Sequence, residues 1–274
     1  MRTNQKILAY PYIIWLIIFI VVPLILVLYF SLSFRDGGIT LENYRRFVSP
    51  IYGKVLYRSL KLALISTVFC LVLGYPMAMI IARADITKRN LMVLLFVLPM
   101  WMNFLLRTYA WMTLLGKNGV INNILGYFNL PALNLLYNNG AVILGMVYNF
   151  IPFMVLPIYS VLAKMDKTLI EAAKDLGANE ITVFRKIIFP LSLPGVITGI
   201  TMVFMPAVST FVIPKLLGGG QFMLIGNLVE QQFTYVYDWN FGSAISIIMM
   251  VFILIAMAIM AKYEDPMEES GGLW

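Results

Sequence analysis

The sequence predicts an all-α integral membrane protein of about six transmembrane helices, and three observations carry that reading. Of its 274 residues 61% are hydrophobic and only 12% charged, against about 25% charged in a typical soluble domain. The apolar residues fall in runs of twenty or so, each long enough at 1.5 Å per residue to cross a hydrocarbon core of about 30 Å. Nearly all the charge sits in short segments between the runs. Inside lipid every backbone N–H and C=O must be satisfied within the segment, so the runs are read as helices.

The spans fall near residues 8–33, 59–82, 91–114, 139–163, 190–213 and 243–262. The first follows Arg2 and Lys6 but is too long for the apolar part of a signal peptide and lacks a small-x-small cleavage site, so it is read as a retained helix. None of the six has an ionisable side chain in its centre; Lys61, Arg107 and Lys215 lie near ends, where they can reach polar surroundings. A proton-driven carrier or voltage sensor keeps such a group at mid-depth. The energy source is therefore expected outside this chain.

Loop charge gives the orientation. Arg83, Lys88 and Arg89 crowd the second loop, and Lys164, Lys167, Lys174, Arg185 and Lys186 the fourth, which places both loops and both termini in the cytoplasm. The first loop dissents, with Arg35, Arg45, Arg46 and Lys54 on the outer side. Pro152 and Pro157 in the fourth span, and Pro190, Pro194, Pro206 and Pro214 around the fifth, read equally as ordinary membrane-helix residues or as bends around a pathway. The acidic tail, 264–274, is expected to be flexible.

Several chemistries are excluded. There is no histidine, which removes histidine triads and HExxH zinc sites. Cys70 is alone, so no internal disulfide forms. No GxxxxGK[ST] occurs to cradle a nucleotide. The net charge of +7 is spread over membrane loops, and no basic face on a soluble domain points to nucleic acid.

The most informative segment is the loop 164–190, between the fourth and fifth spans. Asp166 suits the N-cap of a helix over 167–176, and Gly177 the left-handed position that ends it. Asn179 suits the cap of a second helix, expected to stop near Phe189 because Pro190 follows. Leu169, Ala172, Ala173 and Leu176 share one face of the first helix, small enough at its centre for another backbone to approach. Glu171 lies where it favours the positive end of the helix dipole. Ile181, Phe184 and Ile188 are expected to root the second helix on the spans. Taken by itself, the unit also reads as two amphipathic helices resting on anionic headgroups.

Glu171-Ala172-Ala173, then Gly177, then Phe184, Ile187 and Pro190, resembles the EAA motif of ATP-binding-cassette importer permeases. The segments LENYRRFVSPIY, LALISTVFCLVLGYPMAMIIAR, LPMWMNFLLRTYAWMTLLGKNGVINNIL, LIGNLVEQQF and DWNFG look like parts of spermidine/putrescine permeases, and of their B-type membrane subunit, over most of the chain. The resemblance implies a single permease domain over 1–274 with a type I importer fold. Its cytoplasmic loop would be a coupling helix seated on an ATPase through Glu171, Ala172, Ala173, Leu176 and Gly177. It implies an ATPase dimer that binds ATP and magnesium, a second related permease and an external polyamine-binding protein, in a bacterial cytoplasmic membrane. This chain would hold no cofactor and catalyse nothing itself. A permease of the same class for iron, sulfate, molybdate or a phosphonate, and a carrier working alone, are the competing readings.

For a polycation, aromatic faces and neutral oxygens suit a transient path. Candidates are Trp101, Asn103, Tyr109, Tyr148 and Asn149, with Asp238 at the outer end of the last span, where it also reads as an N-cap. Trp and Tyr near span ends equally form interface belts. Glu230 reads as a loop charge facing solvent, a binding protein or a passing cation, and residues 119–130 as a short interfacial helix.

Overall fold

The computed structural model describes residues 10–34, 38–220 and 222–262. The acidic tail 264–274, Arg35 and the first two residues of the span 8–33 lie outside the described residues. The described chain is helical, with no strand beyond an isolated bridge between Ser33 and Ile39.

Among the described residues five helices are long and apolar enough to cross a membrane. They are α1 (Tyr10–Ser31), α3 (Pro50–Arg83), α7 (Asn139–Lys164), α9 (Glu180–Ser209) and α12 (Trp239–Ala261). Next come α4 (Ile86–Trp101) and α5 (Phe104–Leu115); α4 and the helical stretch Phe104–Tyr127 pass the same test only as a pair, bent by 92° at the break, and make a sixth span if that pair counts as one. The third span expected over 91–114 falls across this break. Pro99 weakens the last turn of α4, and the Asn103 side chain starts a new helix by accepting from Leu105 N–H at 2.8 Å.

Shorter helices complete the chain: α2 (Glu42–Phe47), α6 (Val120–Tyr127), α8 (Lys167–Asp175), α10 (Val212–Leu217) and α11 (Ile225–Gln231). The short helix expected within 119–130 is α6. The second span begins earlier than expected, because Pro50 occupies the first turn of α3, where its missing N–H costs nothing. The fifth ends at Ser209 rather than 213, and Val212 starts the separate α10.

The core is the triple packing of α3, α7 and α9. Lipid tails are as apolar as leucine, so these helices associate through close van der Waals contact rather than by expelling water. Small residues make that contact. A methyl added at Gly199 would lie 2.8 Å from Met154 Sδ, and one at Gly195 would lie 2.9 Å from the Pro157 carbonyl oxygen. Gly74 faces the same Met154 from α3. Met154, Val155 and Ile158 are fully buried there. A polar tie joins α3 to α9 across this core: the hydroxyls of Tyr75 and Ser192 are 2.7 Å apart.

Helix α9 contains the main departure from expectation. The second loop helix does not stop at Phe189 but runs on into the fifth span without a break. Residues 184–188 form one wide π turn, in which Phe189 N–H reaches back five residues to the Phe184 carbonyl. The wider turn takes up the Pro190 ring, which in a regular α-helix would strike the carbonyl four residues earlier.

Candidate functional site

The loop between α7 and α9 forms as its residue types dictate. Asp166 caps α8 by accepting from Thr168 N–H at 2.9 Å, and that bond holds its carboxyl below the usual aspartate range. Gly177 takes φ +82°, open to glycine at little cost, and turns the chain out of α8. Asn179 caps α9 by accepting from Thr182 N–H at 2.8 Å. Lys174 and Glu180 then pair across the turn at 2.6 Å. Phe184 and Ile188 root α9 as expected, Phe184 edge-on to Tyr75 at 5.7 Å, with the buried Val183 beside them; Ile181, also expected to contribute, is 69% exposed because it turns away from the spans.

Helix α8 has two faces of different character. Lys167, Ile170, Glu171 and Lys174, spaced i, i+3, i+4 and i+7, look inward onto a cavity of about 280 Å³ at the ends of α3 and α7. Leu169, Ala172, Ala173 and Leu176 follow the same spacing on nearly the opposite side. There Leu169 is 47% and Leu176 89% exposed. An apolar stripe on a charged loop helix, turned away from its own chain, is a contact face without its contact. Glu171 does not share it; its side chain borders the inner cavity beside Arg83 and Arg89.

The pathway candidates are dispersed. Trp101 ends α4 and is 74% exposed at the bend, and Asn103 is occupied as the cap of α5. Tyr109 is half exposed on α5. Tyr148 packs edge-on against Trp111, ring centres 5.2 Å apart. It also borders an apolar cavity of about 370 Å³ between α3, α4 and α7. Its neighbour Asn149 is buried; Nδ2 donates to the Gly145 carbonyl at 2.8 Å, while Oδ1 has no partner. Asp238 caps α12 by accepting from Phe241 N–H, and accepts from Arg46 Nη1 at 2.8 Å. Among the described residues no hydrogen bond or ring contact joins two of these six.

Three features escaped the reading of the sequence. Arg46 belongs to a latch with Asp238 and also lies 4.1 Å over the Phe241 ring. Lys215 is held by Glu230 at 2.6 Å and by the Tyr235 hydroxyl at 3.2 Å, so Glu230 is a paired group. Arg107, assigned near a span end, is buried within the fold, with Nε and Nη1 lacking partners. The signal for Arg107 was its place beside Phe104, Thr108 and Trp111 on one face of α5.

Residues 64–267 match the family described as the binding-protein-dependent transport system inner membrane component. The spermidine/putrescine transport system permease protein PotB of Haemophilus influenzae is 40% identical over 268 residues, 94% of this chain and 93% of that protein. Its namesake from Escherichia coli is 41% identical over 242 residues, 85% of this chain and 88% of that protein. Among solved structures, a bacterial transporter that imports the acidic polysaccharide alginate superposes with a TM-score of 0.81 at 17% identity, covering 96% of each chain, a likeness of fold. The chain belongs to the binding-protein-dependent transport system inner membrane component family.

Proposed function

We propose that this family member is the B-type permease of a polyamine importer, forms one half of the path for spermidine or putrescine, and takes its energy from an ATPase seated on the outer face of α8. The observation that carries the reading is the 40% identity, over nearly the whole of both chains, to a permease named for spermidine and putrescine. The apolar stripe of Leu169, Ala172, Ala173 and Leu176 supports the ATPase assignment, since it is the one face of the loop that neither its own spans nor charge accounts for. The partners are then an ATPase dimer that binds ATP and magnesium, a second related permease and an external binding protein. The basic second and fourth loops favour a cytoplasmic position for this side and for both termini.

The mechanism follows from the continuity of α9. Closure of the ATPase on ATP moves α8 through its outer face. The Gly177 turn and the Lys174–Glu180 pair fix α8 to the start of α9. From there 30 residues of unbroken helix carry the movement to the far side of the membrane. The fifth span is thus driven directly. Along the path, a cytoplasm-negative potential favours cation entry by about 2.3 kcal/mol per charge per 100 mV, so no deep carboxylate is required. Tyr148 and Asn149 on α7, with Trp101, Asn103 and Tyr109 near the bend, supply aromatic faces and neutral oxygens for transient contacts. Asp238 lies at the outer end of α12.

The test is ATP-dependent uptake of labelled spermidine and putrescine into proteoliposomes that contain the full complex. Uptake that disappears in Leu176→Asp, with the complex still in the membrane, supports the reading. ATP hydrolysis without uptake of either polyamine would keep the importer class and remove the cargo.

A further inference from the structure

The inner face of α8 closes a cavity that the transport reading does not use. Its inner wall is apolar, built from Met79 at the end of α3, Leu162 and Met165 at the end of α7, and Ile188 at the root of α9. Its rim is basic: Arg83 at the end of α3, Arg89 in the first turn of α4, and Lys167 from α8. Lys174 also reaches the rim but is engaged by Glu180, so three cations face a single carboxylate, Glu171. The cavity opens at one end of the bundle, where α3 and α7 stop.

A second observation points to an anion. Arg89 directs Nη2 to the carbonyls of Ala82 at 2.8 Å and Ala84 at 3.3 Å, which fixes its guanidinium at the cavity. Its Nε is buried with no hydrogen-bond partner. Buried donors in folded proteins are almost always satisfied, so an orphan donor on a residue that lines a cavity points to an acceptor beside it. Guanidinium groups match phosphate oxygens in geometry as well as charge. A basic pocket between membrane helices, with an apolar wall beneath, is the arrangement that receives an anionic lipid headgroup.

We propose that this cavity binds one anionic phospholipid, its phosphate held by Arg83, Arg89 and Lys167 and its first acyl carbons laid against Met79 and Leu162. The bound lipid joins α8 to the α3–α4 turn across the cavity. The site stands on the cavity alone; only its consequence, a stiffer link from ATPase to spans, rests on the coupling reading.

The experiment is native mass spectrometry of the complete purified complex after delipidation, titrated with phosphatidylglycerol, with phosphatidylcholine of the same chains, or with inorganic phosphate. The paired variant is Arg83→Gln with Lys167→Gln, both exposed side chains on the cavity rim. Arg45→Gln, on a different surface, is the control for lost charge. The expected result is a retained phosphatidylglycerol adduct, absent with phosphatidylcholine, about tenfold or more weaker in the double variant and unchanged in the control. Equal retention in the double variant, or equal retention of phosphatidylcholine, would overturn the proposal. Inorganic phosphate displacing the lipid at equal concentration would also overturn it, and move the site to a soluble anion. Because no transport is measured, failure here leaves the assignment of function untouched.

Discussion

Arg46 and Asp238, 192 residues apart, meet at 2.8 Å, and the same guanidinium lies 4.1 Å above the ring of Phe241. The pair ties the helix after the first span to the start of the last one. Asn240 repeats the tie by donating to the carbonyls of Phe30 and Ser33. Helices α1 and α12 bury little of themselves in the core. These polar links add to the direct packing of α12 along α1, where the Phe30 and Trp239 rings meet at 6.2 Å, in holding the outer pair in register.

Arg46→Gln and Asp238→Asn are expected to lower stability by similar amounts, with a coupling of about 0.5–1 kcal/mol in the double-mutant cycle. Asp238→Asn keeps an acceptor for Phe241 N–H, so the cap of α12 survives. Thermal unfolding of the complex measures the coupling. If Asp238 serves the latch, polyamine uptake by the stable Asp238→Asn variant stays near normal; abolished uptake in a stably folded variant would return Asp238 to the pathway.

Lys215 and Glu230 should behave as an exchangeable pair. Lys215→Glu alone sets two carboxylates where a 2.6 Å ion pair stood, and lowers Tm. Adding Glu230→Lys restores most of the loss, which for a partly exposed pair is up to about 1 kcal/mol. The hydrogen bond to Glu230, then that to Tyr235, raises the Lys215 ammonium above the ordinary lysine value. Its contribution is therefore complete below that value and lost as pH rises through the raised one. A swap that restores nothing would show that the two groups act separately.

Gly195 and Gly126 predict opposite outcomes for the same change. A methyl at Gly195 meets the backbone of α7, with the Pro157 carbonyl at 2.9 Å and Ile158 Cα at 3.1 Å, while one at Gly126 meets nothing within 4 Å. Gly195→Ala should cost about 1–3 kcal/mol by forcing α9 off α7. Gly126→Ala, inside α6, should be neutral or stabilising by up to about 1 kcal/mol. Thermal unfolding in detergent separates them.

The local parts of this architecture were legible because short-range rules govern them. Asp166, Gly177 and Asn179 each do at the loop what their side chains do in any chain. The pattern of Leu169, Ala172, Ala173 and Leu176 revealed an apolar face, but periodicity cannot say which face looks inward, so the cavity that Glu171 borders was not legible. Uniform hydropathy hid the bend at Asn103, although Pro99 and Asn103 marked it. Pro190 misled because a single π turn can take up a proline that a regular helix rejects. Arg46 with Asp238, and Lys215 with Glu230, had no local signature, since each pair is made by tertiary packing.

Gly177 isolates the role of the turn. No atom lies within 4 Å of a methyl built there, so Gly177→Ala carries only the cost of a left-handed backbone, about 1–2 kcal/mol. Asn tolerates that conformation better than Ala. Coupled uptake is therefore expected to fall in the order Gly, Asn, Ala, with insertion into the membrane unchanged. Equal uptake by all three would mean that the angle between α8 and α9 carries no information.

The central claim is that the outer face of α8 seats the ATPase, and cysteine cross-linking tests it most directly. Cys70, the one native thiol, is first replaced by serine. Single cysteines then go to Leu169, Ala172, Ala173 and Leu176 on the outer face, and to Lys167, Ile170 and Lys174 on the inner one. In the assembled complex, the four outer positions are predicted to cross-link to the ATPase subunit and the three inner ones are not. Cross-links from the inner set with none from the outer, or none from either, would contradict the account.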